Sequence, residues 1–387
     1  MQKLSVSYAL VLGLLTAIGP ICTDLYLPAL PDMTQQMGTT TSLTQLSLTA
    51  SLIGLGLGQL FFGPLSDRLG RRLPLLLSLA LFIVASVLCA TTGDIHLLIL
   101  WRFIQGFSGA GGSVLSRSIA RDKYSGTQLT RFFALLMTVN GIAPVISPVL
   151  GGYIAETLHW RALFWSMALA GVVLFLLSLT VIKETRQPQS APESMLNTLR
   201  AVLKNRTFLG FCFVQAFMLA GLFSYIGASS FVLQNEYGMS PMQFSLLFGI
   251  NGTGLIISAL IFSSLARRIP QEVLLKRGLM LAVLTALVTF GLAQNNHQTL
   301  ALVGLFFSVA FNSGVCTLAG SAAMNCVEAR YSGSASALLG MLMFVFGGIA
   351  TPLAGLGGEA MWKMTLAIAI AYAAALAIYT LARRRTA

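Results

Sequence analysis

Gly63-Pro64-Leu65-Ser66-Asp67-Arg68-Leu69-Gly70-Arg71-Arg72 sets one acid and three bases between two apolar runs, residues 43–65 and 73–92, that are otherwise free of charge. Runs of about twenty apolar residues match the length a helix needs to cross the hydrocarbon core of a bilayer. The same alternation of long apolar run and short basic loop extends in both directions. Further runs fall at 6–30, 96–116, 132–155, 161–182, 208–234, 242–265, 273–293, 298–323, 333–356 and 362–382, making twelve in all. Over the full 387 residues, 56% are hydrophobic and only 9% charged, against about 25% charged in a soluble domain. Mean hydropathy is +0.81. This composition excludes a water-soluble globule and predicts an all-α membrane protein. The net charge of +12 does not point to nucleic acid, because the bases sit in loops between apolar runs rather than on one soluble face.

The charge is a topology signal. With the N-terminus in the cytoplasm, 21 of the 24 lysines and arginines fall in inner loops, leaving Arg102, Arg161 and Lys363. The positive-inside rule then predicts a multi-pass membrane protein with both termini cytoplasmic. The first run, following Lys3, resembles a signal-peptide core, but no small-residue cleavage site follows, so it reads as a retained span. The longest polar stretch, 183–206, divides the chain into an N-terminal bundle of six helices, 1–182, and a C-terminal bundle of six, 207–387. A weak internal echo supports the duplication. Ser263 to Glu272 follows the eighth run as Gly63 to Arg72 follows the second, with Leu265 and Arg268 matching Leu65 and Arg68 and with Arg267 where Asp67 stands. Duplicated halves are the architecture of transporters that rock about a site between them.

Several motifs carry a family resemblance. Gly63 to Arg72 resembles the signature loop of the major facilitator superfamily, and Leu100-Trp-Arg-Phe-Ile-Gln-Gly-Phe-Ser-Gly109 resembles its fourth-helix motif. Gly141-Ile-Ala-Pro-Val-Ile-Ser-Pro-Val-Leu-Gly-Gly152 resembles the fifth-helix motif associated with antiporters, with Ser147 where glycine is usual. Thr23-Asp-Leu-Tyr-Leu-Pro-Ala-Leu-Pro31 and Lys183-Glu184-Thr185 resemble the bicyclomycin and chloramphenicol resistance subfamily of drug:proton antiporters. The resemblance implies the major facilitator fold, alternating access, and a gate that includes Gly63, Asp67, Arg68, Gly70, Arg71 and Arg72, with Asp122 as partner. It implies an antiporter role for Gly141, Pro144, Pro148, Gly151 and Gly152, where the prolines kink the helix and the glycines permit close contact.

Asp24 is the carboxylate deepest inside an apolar run, and an ionised acid there costs at least about 2.5 kcal/mol. Burial favours its neutral form and a nearby cation its charged form, so an alternately wet and dry cavity would load and unload a proton. Asp24 and Arg102 stand at equal depth, each about six residues or 9 Å from the outer surface, which makes Arg102 the candidate partner in proton coupling. A permanent structural pair is the alternative. Polar and aromatic residues that interrupt the spans are the substrate candidates: Tyr26, Gln59, Gln105 and Asn140 in the first half, Gln215, Phe217, Tyr225, Asn251 and Asn312 in the second.

Other chemistries find no support. No phosphate-cradling glycine loop ending in Lys-Ser/Thr is present, so the expected energy source is the proton gradient, with no cofactor. His96, His159 and His297 are scattered in outer loops, and Cys22, Cys89, Cys212, Cys316 and Cys326 show no paired spacing, so neither a metal site nor a disulfide framework is expected. Gly54-Leu-Gly-Leu-Gly58 fits helix packing rather than a dinucleotide loop. The expected protein is a monomeric, non-enzymatic exporter of small, largely apolar compounds that exchanges them for protons within the lipid bilayer. An exporter or symporter of one metabolite, or a non-transporting signalling protein of the same fold, is the alternative.

Overall fold

The computed structural model describes residues 6–124, 126–186, 195–328, 331–354 and 360–384. These residues are helical almost throughout, with no strand among them. The long helices are α1 (Val6–Asp24), α3 (Thr41–Leu69), α4 (Arg72–Thr91), α5 (Ile95–Lys123), α6 (Gly126–Thr157), α7 (Trp160–Val181), α9 (Arg206–Phe231), α10 (Pro241–Leu265), α11 (Gln271–Gln294), α12 (Gln298–Asn325), α13 (Ser332–Ala354) and α14 (Met361–Arg384). Two short helices, α2 (Leu30–Gln36) and α8 (Met195–Lys204), lie between them. Among the described residues, ten stretches are long and apolar enough to cross a membrane. The remaining long helices, α5 with 29 residues and α6 with 32, exceed the length required.

Two compact units divide the chain. One contains α1, α2, α4 to α7 and α3 from Ala50 onward; the other contains Thr40–Thr49 and α8 to α14. The start of α3 thus belongs with the second unit, where Gln45 Nε2 donates to the Gly227 carbonyl at 3.1 Å and Thr49 Oγ1 to the Gly348 carbonyl at 2.8 Å. The sequence boundaries at 182 and 206 did not anticipate this, because a continuous apolar helix carries no mark of which neighbour each part of it will bury.

The structure corrects three boundaries. The first span is not one helix: α1 stops at Asp24, and Leu25 and Tyr26 turn before a short 3-10 turn at Leu27–Ala29 and α2. The signature stretch is mostly helix, since α3 runs to Leu69 and only Gly70 and Arg71 separate it from α4. Part of the expected linker is also folded. In α8, Val202 packs with Phe208, Cys212, Ala323, Ala335 and Leu338, and Leu199 lies against the same cluster. Leucine and valine three residues apart give even this polar stretch one apolar face. Residues 187–194 lie outside the described residues.

Acids at helix ends act as caps. Asp94 accepts from the His96 and Leu97 amides at 2.7 and 3.0 Å, and Glu236 accepts from the Met361 amide at the start of α14. Donors from Leu97 and then His96 hold the Asp94 carboxyl below its ordinary range.

Close backbone contact sets the α3–α5 crossing. A Cβ at Gly106 would lie 2.8 Å from the Ser51 carbonyl carbon, and one at Gly54 would lie 2.7 Å from the Phe107 nitrogen. Without water to drive helices together, such contacts replace the hydrophobic effect as the packing force. Gly106→Val is therefore expected to destabilise the purified protein by about 1–3 kcal/mol. Gly291→Ala, where no atom lies within 4 Å, is the neutral control. A parent-like melting curve for Gly106→Val in detergent would contradict the close crossing.

Candidate functional site

The break after Asp24 follows from Pro28. Proline has no N–H to return to the carbonyl four residues earlier, and its ring displaces that turn. Leu25 still donates to Ile21 at 3.4 Å, but the carbonyls of the last turn lose their helical donors. The Cys22 carbonyl, in that turn, accepts from Arg102 of α5, whose Nη2 lies 2.8 Å away. Arg102 is fully buried. Its Nη1 donates to Gln105 Oε1 and lies 3.5 Å from Cys22 Sγ. The guanidinium carbon sits 4.1 Å from the Tyr26 ring centroid and 5.7 Å from that of Phe164. Gln105 in turn donates to Ser86 Oγ at 2.7 Å. A cation at a helix C-terminus and over an aromatic face is favourably placed on both counts.

This arrangement corrects the expected Asp24–Arg102 pair. Among the described residues no basic side chain lies within 4.0 Å of Asp24; both ion pairs found are elsewhere. Arg102 is committed to the carbonyl, amide and ring partners that the break presents. Asp24 is itself buried, and its Oδ1 faces the Thr23 hydroxyl at 2.8 Å. That hydroxyl also lies 3.2 Å from the Gly19 carbonyl.

Three sequence motifs meet at this break. α6 stays helical through Pro144 and Pro148, and Gly151 lies so close to Leu25 that a Cβ would sit 2.9 Å from its carbonyl carbon. The break is thus held by Arg102 of the fourth-helix motif and Gly151 of the fifth. Gly152 and Pro148 are buried beside it in sequence, while Gly141 and Pro144 are half-buried.

The second cluster joins helix ends. Arg71 pairs with Asp67 at 2.5 Å and with Asp122 at 2.8 Å, and also donates to Ser66 Oγ at 2.7 Å. Gly70 has φ +89, a conformation that glycine alone adopts without cost. A Cβ there would also lie 2.9 Å from the Glu184 carboxyl carbon. Glu184 uses that space to accept the Arg71 and Arg72 amides at 2.9 and 3.1 Å, capping α4. Arg72 returns the favour to α7, donating to the Leu179 carbonyl at 2.9 Å, and Arg186 donates to the Arg68 carbonyl at 2.8 Å. Gly63 accepts from Ser66 at 2.7 Å, and the Arg68 side chain is exposed. Arg267 and Arg268, in the second-unit echo, are exposed. Sequence reading singled out Glu184 only within Lys183-Glu184-Thr185 and did not identify the α4 amides as its partners. It likewise missed Cys22, Ser86 and Phe164, although Pro28 four residues after Asp24 marks where free carbonyls must arise.

The remaining candidates make hydrogen bonds and ring contacts within each unit. Tyr26 and Gln105 serve Arg102. Asn312 donates to the Met218 carbonyl at 2.5 Å and to Tyr372 Oη at 3.2 Å, tying α12 to α9 and α14. Asn251 donates to Tyr225 Oη at 2.9 Å, and Tyr225 stacks on Phe248 at 5.3 Å. Asn251 Oδ1 and Gln215 Oε1 are buried without a hydrogen-bond partner. Gln59 is half-buried on α3, and Phe217 meets Phe346 edge-on at 5.2 Å. The Asn140 side chain lies outside the described residues.

Known proteins align with this chain along nearly its whole length. The family model described as Major Facilitator Superfamily matches residues 12–352. An uncharacterized MFS-type transporter of Bacillus subtilis, YdgK, is 38% identical over 92% of this chain and 90% of its own. A bicyclomycin resistance protein homolog of Haemophilus influenzae is 28% identical over 90% of this chain and 88% of its own. Among solved structures, an inward-facing, unoccupied bacterial homolog of the human lysosomal transporter Spinster superposes with a TM-score of 0.77 at 15% identity, over 98% of this chain and 96% of that one.

Two outcomes follow from the geometry. Arg102→Gln leaves the Cys22 carbonyl short of its charged donor and should cost about 1.5–3 kcal/mol, read as a lower melting temperature; an unchanged one would mean that the carbonyl finds another donor. At Glu184, partial burial raises the pKa, but amide donors from Arg71, Arg186, Arg72 and Thr185 outweigh it and hold the carboxyl below its ordinary 4.5. A depressed pKa contributes stability that is complete above the ordinary value and disappears as pH falls through the folded one. The melting difference between parent and Glu184→Gln should accordingly be full at neutral pH and shrink below about pH 4.5. A pH-independent difference would rule out the charge as its source.

Proposed function

The chain belongs to the major facilitator superfamily, and from that premise we propose that it exports small, largely apolar compounds across the bacterial inner membrane in exchange for protons. The names of its relatives, a bicyclomycin resistance protein homolog and multidrug resistance proteins D and MdtL, favour drug-like cargo. Counting α5 and α6 with the ten apolar stretches yields twelve spans in two groups of six, and the distribution of lysine and arginine puts both termini in the cytoplasm.

The observation that carries the proposal is Asp24: a buried acid at a break in the first span, with no basic side chain among the described residues within ion-pairing distance. Irregular backbone at membrane depth is tolerated where it is enclosed by protein or faces a water-filled cavity. An acid at such a point holds a proton when water is excluded and releases it when water enters. Arg102 keeps its charge throughout and contributes a fixed positive potential to the same region, held in place by the Cys22 carbonyl, Gln105 and the Tyr26 ring. Protonation of Asp24 on one side of the membrane and release on the other would couple each cycle to the membrane potential, worth about 2.3 kcal/mol per charge per 100 mV.

In proteoliposomes with an imposed pH gradient, Asp24→Asn should lose at least about tenfold in drug or dye flux, the rate cost of losing an essential proton carrier. Asp32→Asn, at an exposed acid on α2, should match the parent. Both variants must elute as monodisperse folded protein for the comparison to stand. Gradient-driven flux that is undiminished in Asp24→Asn would overturn the proposal.

A further inference from the structure

Where α1 begins and α5 and α7 end, the first unit has an open surface cavity of about 510 Å³, within the range that takes up a small ligand or headgroup, and Lys123, Lys183 and Glu184 on its walls are exposed. Its walls include two carboxylates, Asp122 and Glu184, and two lysines, Lys123 and Lys183. The acids are already occupied. Asp122 receives Arg71 and the Thr185 hydroxyl, and Glu184 receives four backbone amides. The donors are not occupied in the same way. Neither lysine belongs to an ion pair among the described residues, and their like charges act on each other. Lys123 instead sits 3.4 Å from the ring centroid of Tyr8. Tyr8, only 4% exposed, is among the residues that line the cavity, and its hydroxyl is buried with no hydrogen-bond partner.

A cavity whose acceptors are satisfied and whose donors are not selects an anion. We propose that this cavity binds a phosphate group, with Lys123 and Lys183 supplying charge and Tyr8 a hydroxyl donor. Three donors from separate elements suit a tetrahedral anion with several oxygens better than a planar carboxylate. The group would come from an anionic phospholipid headgroup or from a soluble phosphate ester. The site is separate from the Asp24 break and does not depend on what the chain transports.

Parent protein and the variants Lys123→Gln, Lys183→Gln and Tyr8→Phe would be placed in phosphatidylcholine nanodiscs. Melting would be followed with increasing phosphatidylglycerol, and separately with glycerol phosphate. The parent should be stabilised by at least one probe, each lysine variant should need about fivefold more of it, and Tyr8→Phe should fall between them and the parent. Lys276→Gln, at an exposed lysine on α11, should behave as the parent. Stabilisation by phosphatidylglycerol alone identifies a headgroup site, and stabilisation by glycerol phosphate as well identifies a soluble ester. No stabilisation by either probe, or equal weakening in Lys276→Gln, would overturn the proposal.

Discussion

A backbone carbonyl in the interior of a membrane protein has no water to bond with, and one that its own helix abandons must find a donor elsewhere. At the break before Pro28, the Cys22 carbonyl in the last turn of α1 receives the fully buried Arg102. Much of the first unit's centre is arranged around that single contact. The Tyr26 ring lies over the guanidinium, Gln105 and Ser86 extend the network to α4, and Gly151 lets α6 pack against the turn itself. Asp24 occupies the same break without an ion-pair partner among the described residues. The acid and the base are thus held by different groups.

At the opposite end of the unit, charge is used to join helix termini. Free amides at the start of α4 meet Glu184, the free Leu179 carbonyl of α7 meets Arg72, and that of Arg68 meets Arg186. Each contact places a charge where the helix dipole favours it. Arg71 then bridges Asp67 on α3 to Asp122 on α5. A loop that topology alone would fill with arginines is therefore also a joint among four helices, and the acid at position 67, which the positive-inside rule does not call for, is explained by that joint. The second unit has arginine at the equivalent place and exposes it.

How much of this was legible depended on whether a property is local. Apolar runs about twenty residues long announce spanning helices whatever they pack against, and the glycines of 54–58 announced close packing that Phe103 and Phe107 of α5 supply. Asp94 and Glu236 accept amides at the starts of helices, where the dipole favours an acid. The proline at position 28 could have located the break, yet the run 6–30 was read as continuous because hydropathy is blind to a missing hydrogen bond. The folded part of the linker, α8, was missed because its polar composition outweighs two apolar residues on one face.

Composition and spacing by themselves determined that this chain lives in a bilayer, where its helices lie, and which residues are rare enough there to matter, since solvation cost is paid residue by residue. Which of those residues meet was decided by the tertiary structure alone. Equal depth put Asp24 and Arg102 on one level, but a side chain's partner is chosen by the direction in which its helix presents it and by the strongest acceptor within reach. For Arg102 that acceptor is the carbonyl of a broken helix, a group with no letter in the sequence.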